Sequence, residues 1–256
     1  MKRLAHALLL TGLLGIPALA AAAEDGGPHS LSANVGLTSN YLFRGISQTG
    51  GDPAIQGGLD YTHASGFYLG TWGSNVGWIE DYQRYDSGNL ELDLYGGFRG
   101  NIGASDFTYD VGAIQYFYPG ERAGAVDADT TELYAGLGWK WVSLKYSYAI
   151  SDEVFGFADA DGSSYLDVSV NVPLGETGLT AGAHWGTFNF ENNGAQDYDD
   201  WKVSLAYDMG KLSEVASGVT VGVMYTDTDA DSDVWTDTNG EFLGKDTTTV
   251  WISKTF

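Results

Sequence analysis

The chain closes on K-D-T-T-T-V-W-I-S-K-T-F, Lys245 to Phe256, and this stretch decides how the rest is read. It is β-branched and aromatic, which favours a pleated strand. Val250, Ile252 and Phe256 fall on one face, and Thr249, Trp251, Ser253 and Thr255 on the other. No polar tail follows Phe256, whereas soluble domains usually fray into one. One oily face, one hydroxyl face and an aromatic last residue suit the closing strand of a membrane barrel. There the first strand must pair with the last, because an open edge cannot be left in lipid. Lys254 departs from the pattern, lying on the lipid-side face.

Composition narrows the alternatives. Met1-Lys2-Arg3, an apolar core from Leu8 to Ile16 and small residues Ala20 to Ala23 form a secretory leader, expected to be cleaved near Ala23. The domain reading is therefore 1–23 leader and 24–256 barrel. Apart from the leader, no run approaches the roughly 18 apolar residues a spanning helix needs. Cysteine is absent, so an exported chain must be held by a core or a closed hydrogen-bond ladder rather than by disulfides. The formal charge is -22, and loss of Lys2 and Arg3 takes it to -24. That argues against nucleic acid as a partner and against a basic membrane-surface binder. Aromatics at 14%, 36 glycines and a mean hydropathy of -0.15 fit a barrel better than a helical membrane protein.

Working back along the chain, about twelve alternating segments appear, separated by turn residues. The clearest spans 89–100, where Leu90, Leu92, Leu94 and Phe98 alternate with Glu91, Asp93, Tyr95, Gly97 and Arg99. The first is read from Leu31 onward to Tyr41 and Phe43, breaking at Arg44-Gly45; in the third, 67–76, both faces carry aromatics and the facing stays open. The connections also alternate. Those near 44–53, 77–88, 119–129, 151–162, 190–198 and 226–244 are mostly long and polar, and the intervening ones are mostly short. An even strand count with long loops at one end and short turns at the other is the pattern of an up-and-down transmembrane antiparallel β-barrel of the Gram-negative outer membrane.

Charge placement sharpens the reading. Asp60, Glu91, Asp93, Arg99, Asp110, Glu132, Lys140, Lys145, Asp167, Asp200 and Lys202 all fall on the faces assigned inward, as pore-lining residues. On the outward faces stand only Asp246 and Lys254, each near a strand end. A basic side chain costs roughly 2–4 kcal/mol at the bilayer midplane and about 0–1 near the interface, so this sorting is what a lipid-facing wall requires. Tyr41, Phe43, Tyr61, Phe98, Phe107, Trp139, Tyr148, Trp185, Trp201 and Tyr207 fit interfacial girdles.

The stretch S-N-Y-L-F-R-G-I-S-Q-T-G-G-D-P-A-I-Q-G-G-L-D-Y-T-H-A-S-G-F-Y-L-G-T-W-G-S-N-V, Ser39 to Val76, resembles the opening of the TorF-family porins of Gram-negative bacteria. Weaker echoes are Glu91 to Gly97, Tyr116 to Gly120 and Ile252 to Phe256. The resemblance implies an outer-membrane barrel that passes small solutes, and it implies no catalytic residues.

The functional expectation is a porin-like channel for small hydrophilic solutes or ions, not an enzyme, needing no cofactor. Acids outnumber bases on the inward faces, which implies a mild cation preference. Its partners are the lipid bilayer and lipopolysaccharide, with Phe256 as the handle for barrel assembly machinery. The alternatives are a plugged structural or surface-binding barrel whose loops do the work, and an outer-membrane hydrolase. Twelve strands lie between the filled eight-strand and open sixteen-strand cases, so the inward charges can equally plug the interior. Inward glycines, among them Gly58, Gly97, Gly136, Gly138 and Gly182, either widen the bore or seat Tyr95 and Tyr134. Arg44 either folds into the mouth and constricts it or pairs with a nearby acid.

Two further motifs are weak. Asp227, Asp229, Asp231 and Asp233 alternate like a calcium loop, but the sixth position holds Ser232 or Val234 where glycine is needed, so a solvated acidic loop is the better reading. Some outer-membrane barrels are hydrolases, and His184 is the one inward histidine in mid-strand, with no evident Ser and acid partners along the sequence.

Overall fold

The computed structural model describes residues 27–81 and 85–256; the expected leader, 1–23, lies outside them. Twelve antiparallel strands close into one barrel. In chain order they are β1 (His29–Thr38), β2 (Ala54–His63), β3 (Phe67–Asn75), β4 (Leu90–Asn101), β5 (Phe107–Phe117) and β6 (Thr130–Trp139). They continue as β7 (Val142–Ala149), β8 (Ser164–Pro173), β9 (Leu179–Asn189), β10 (Tyr198–Asp208), β11 (Val219–Thr228) and β12 (Thr247–Thr255). Each strand pairs with its sequence neighbour, and β1 pairs with β12 from Asn34↔Thr255 to Thr38↔Trp251. Phe256 extends the seam: its N–H donates to the Ala33 carbonyl at 2.9 Å and its carbonyl accepts from Ala33 N–H at 3.4 Å. Among the described residues no helix is long and apolar enough to cross a membrane.

The wall is sorted as lipid demands. Leu31, Leu59, Leu94, Leu137, Val203 and Val250 are all exposed on the outside, at 69%, 51%, 47%, 52%, 48% and 55%. In water such a coat would be an aggregation surface; against acyl chains it is the low-energy arrangement. In β4 the outward residues Leu90 to Phe98 cover eight residue steps, about 26 Å of strand and about 20 Å of height at a typical tilt.

Aromatics ring both margins. Near the short turns, Phe67 meets Phe98 at 5.5 Å and Phe107 stacks with Trp139 at 6.2 Å. Near the long loops, Trp201 meets Tyr225 at 5.7 Å, with Tyr148 and Trp185 exposed at that level. Lys254 is tolerated because it lies near the end of β12, where its ammonium reaches the Ser217 carbonyl and lies 5.5 Å from the Phe256 ring. In β3 the ambiguity resolves: Tyr68 and Ser74 are buried inside, and Phe67 and Leu69 are exposed outside.

Three expectations need correction. Strand β1 ends at Thr38, so Tyr41 and Phe43 are not girdle residues. They belong to a tight hairpin, Leu42–Phe43 with Ile46–Ser47, whose turn residues Arg44 and Gly45 have φ of +47° and +81°. Both central residues at positive φ make a tight, strongly twisted turn, for which glycine is favoured at the second place. The hairpin folds inward, leaving Tyr41 with no exposed surface. Third, Lys140 is not in the wall: it begins the two-residue turn between β6 and β7, is exposed, has φ of +53°, and sets its ammonium 4.8 Å from the Trp139 ring.

The apolar core lies at one end of the tube. The connection 39–53 and the other long loops converge at the long-loop mouth, where Ile79, Val154, Ala160 and Leu243 bury against Tyr41, Tyr118 and Phe188. Below this cap the interior is polar.

Candidate functional site: the barrel lumen

Inward side chains of a twelve-stranded wall meet across the bore, and here they form three connected clusters. The first is at the loop end. Tyr41 Oη donates to Glu91 Oε1 at 2.5 Å and Tyr118 Oη to Glu91 Oε2 at 2.9 Å. Arg44 forks onto Glu132, Nη1 to Oε1 at 2.8 Å and Nη2 to Oε2 at 2.7 Å, with side-chain exposures of 7% and 2%. Its guanidinium also faces the rings of Tyr165, Phe43 and Phe188 at 4.4, 4.7 and 4.7 Å. Burial disfavours the charge, but the Glu132 carboxylate more than offsets it and holds the guanidinium pKa above its ordinary value. Behind Arg44, a Cβ at Gly45 would meet Thr228 at 2.5 Å and Asp200 at 2.7 Å. The segment 39–53 therefore reaches from β4 and β6 on one side to β10 and β11 on the other, crossing the lumen from wall to wall. Arg44 thus lies on an inward-folded hairpin and pairs with an acid, Glu132. Asp93 is buried in the same region, and its Oδ1 has no partner among the described residues.

The second cluster lines β2 to β7. Tyr68 Oη donates to Asp110 at 2.6 Å and closely approaches the Tyr134 hydroxyl; Tyr95 Oη donates to Asp60 at 2.7 Å. Arg99 Nη2 donates to Thr62 Oγ1 at 3.1 Å and the guanidinium lies 4.9 Å from the Tyr68 ring. Lys145 sets its ammonium 4.3 Å from the Tyr134 ring. The glycines here seat rings: a Cβ at Gly112 would strike the Tyr134 phenol at 2.6–2.7 Å. Tyrosines packed over glycines narrow the bore at this level.

The third cluster spans β8 to β10. His184 Nδ1 faces Asp167 Oδ2 at 2.8 Å and Nε2 faces Asp200 Oδ1 at 3.0 Å. Tyr165 Oη donates to Asp200 Oδ2 at 2.6 Å, and Ser169 Oγ to Asp167 Oδ1 at 2.9 Å. Lys202 is the cross-strand partner of His184. Sequence reading missed these partners because they are neighbours by register, Ser169↔His184↔Lys202, and not by sequence spacing. The signal was available: strands eight to ten, once paired, bring their inward faces together. The arrangement is unlike a hydrolytic triad. A nucleophile needs its hydroxyl on the ring nitrogen opposite the orienting acid, whereas here each nitrogen faces a carboxylate and Ser169 lies on the Asp167 side.

Of the expected lumen residues, Asp60, Glu91, Asp93, Arg99, Asp110, Glu132, Lys145, Asp167 and Lys202 lie on inward faces and Lys140 does not. Of the alternating aspartates, Asp229 Oδ1 accepts from the Asp199 N–H of β10 at 2.6 Å and Asp231 Oδ1 from the Asp233 N–H of its own loop at 2.9 Å.

This geometry can be set beside known proteins. A family model described as a bacterial protein of unknown function, Gcw_chp, matches residues 22–256. The chain belongs to the Gcw_chp family. Among solved structures, this Gcw_chp chain is similar to one described as the KdgM porin, with TM-score 0.53 and 9% identity over 88% of this chain and 98% of that one. It is similar also to the NanC porin, with TM-score 0.53 and 13% identity over 89% of this chain and 99% of the other. At such identities the likeness shows the fold: a closed antiparallel barrel of the porin type. No curated protein sequence matches the chain.

Proposed function

We propose that this protein is an outer-membrane, porin-like channel through which small hydrophilic solutes or ions diffuse passively, with a mild preference for cations. The observation that carries the reading is a closed tube with an apolar exterior and a charged, hydroxyl-rich interior. A soluble protein has no use for that inversion. The inward faces hold Asp60, Glu91, Asp93, Asp110, Glu132, Asp167 and Asp200 against Arg99, Lys145 and Lys202, joined by Arg44 on the inserted hairpin. That excess of fixed negative charge favours cations in a narrow aqueous path. The resemblance of Ser39–Val76 to TorF-family porins agrees with this reading. Export on a cleaved leader, insertion guided by Phe256, contact with lipopolysaccharide at the long-loop end and absence of catalysis belong to the same proposal.

A second reading is favoured by one observation, the hairpin that crosses the lumen: a plugged barrel whose loops bind at the surface. Planar-bilayer recording of the refolded protein in a potassium chloride gradient separates the two. Discrete conductance steps with a cation-selective reversal potential support the channel. Stable insertion without conductance refutes it and leaves the plugged barrel.

A further inference from the structure

His184 points into the bore from the middle of β9 with a carboxylate at each ring nitrogen: Asp167 Oδ2 at 2.8 Å from Nδ1 and Asp200 Oδ1 at 3.0 Å from Nε2. A neutral imidazole has one N–H and one lone pair, so it can donate to only one of the two. With both acids ionised, only the imidazolium satisfies this geometry. The other charged and titratable groups around the ring do not replace an acid. Tyr165, on β8, donates to Asp200; Lys202, on β10, is the register partner of His184; Arg44, on the hairpin, faces the Tyr165 ring at 4.4 Å and is committed to Glu132.

Loss of the ring proton sets a lone pair against a carboxylate, and the two acids are not equivalent. The Asp200 side chain is 2% exposed and cannot be hydrated, whereas that of Asp167 is 27% exposed and open to the bore. Leaving a buried carboxylate without a donor costs more than hydrating a partly exposed one, so the remaining proton belongs on Nε2, toward Asp200. Ser169 Oγ, which donates to Asp167 at 2.9 Å, also lies 3.2 Å from Nδ1 and can turn its proton onto the vacated lone pair. Asp167 then loses both donors. Its register partner on β7 is Lys145, whose ammonium makes no ion pair among the described residues. We infer that His184 is a proton switch that sets the ion selectivity of the bore: protonated it holds Asp167 and Asp200 together, and deprotonated it keeps Asp200 and releases Asp167 to the bore and to Lys145. The bore wall loses one positive charge in that step, so cation preference rises as pH rises through the His184 titration. The selectivity consequence rests on the channel proposed above; the handover of Asp167 does not.

The test is NMR of nitrogen-labelled histidine in the full-length protein in nanodiscs, with His6→Gln, His29→Gln and His63→Gln leaving His184 as the one histidine. At about pH 5 both ring nitrogens are expected to carry protons, and at about pH 9 the ring is expected to be neutral with its proton on Nε2. A ring doubly protonated throughout, a ring neutral throughout, or an alkaline form protonated on Nδ1 would each overturn the switch. Reversal potentials in a potassium chloride gradient test the consequence. Between about pH 5 and about pH 9 the potassium-to-chloride permeability ratio should rise about twofold to threefold more in the otherwise unaltered protein than in His184→Gln. An equal rise in both would overturn the role in selectivity. Absence of current from inserted protein at either pH would refute the channel instead, and the ring tautomer still decides the switch.

Discussion

Substituting Glu132 by alanine should release the hairpin from the lumen without unfolding the barrel. The carboxylate takes both arms of Arg44 at 2.7 and 2.8 Å, and both side chains are nearly inaccessible. Removing one member of such a pair typically costs about 3–5 kcal/mol, because the remaining charge stays buried and unpaired. The rings around Arg44 give some compensation, so the low end, about 3 kcal/mol, applies here. The barrel ladder does not pass through the hairpin, so the loss falls on local opening of residues 39–53 and not on global stability. Three kcal/mol raises the open population about 150-fold. Limited trypsinolysis reads this directly, since Arg44 is the only tryptic site in that segment. Cleavage before Gly45 should accelerate about a hundredfold when opening is fast relative to cleavage. Arg122 and Lys245, on other loops with side chains 48% and 52% exposed, should be cut equally in both proteins and serve as the internal standard. Glu132→Gln, which keeps one acceptor, should lie between. Equal cleavage at Arg44 in wild type and Glu132→Ala would show that the ion pair does not hold the hairpin.

Other consequences follow from the wall and the seam. Leu94→Arg, in the middle of the lipid face, should cost about 2–4 kcal/mol in urea titration from liposomes, and Leu174→Arg at a short turn about 0–1. Gly186→Ala places a methyl against the Tyr165 phenol at 2.5 Å and Asp200 at 2.9 Å and should cost about 1–3 kcal/mol; Gly136→Ala, with its nearest neighbour at 3.4 Å, should stay below about 1 in the same titration. Deleting Phe256 removes its reciprocal hydrogen bonds with Ala33, and the heat-modifiable, membrane-inserted fraction should fall severalfold on semi-quantitative gels.

What was legible in the sequence was whatever a two-residue period and the cost of charge in lipid can dictate. The alternation of Leu90 to Phe98 with Glu91 to Arg99 fixes both faces of β4, because a slip by one residue would put Glu91 and Asp93 into lipid. The same logic carried the strand count and the sorting of loops, and β12 reads correctly down to Lys254. It failed where the wall ends. Tyr41 and Phe43 are aromatic and follow a strand, which is also how girdle residues look; their fate was set by the Arg44-Gly45 turn, whose positive φ at both residues folds the hairpin inward. Lys140 continued the inward pattern by one residue into a turn. In β3 both faces carry rings, and only the neighbours Gly97 and Gly112, which leave room for the Tyr68 and Tyr134 hydroxyls, show which ring goes inside. The His184 cluster was hidden because register, not spacing, assembles it.

Single-channel recording of wild type beside a variant lacking residues 40–51 tests most directly whether the interior is a water path narrowed by the inserted hairpin. The account predicts that both conduct and that the deletion conducts severalfold more. A deletion variant that inserts into the bilayer with native gel mobility, yet passes no more current than protein-free lipid, would contradict it.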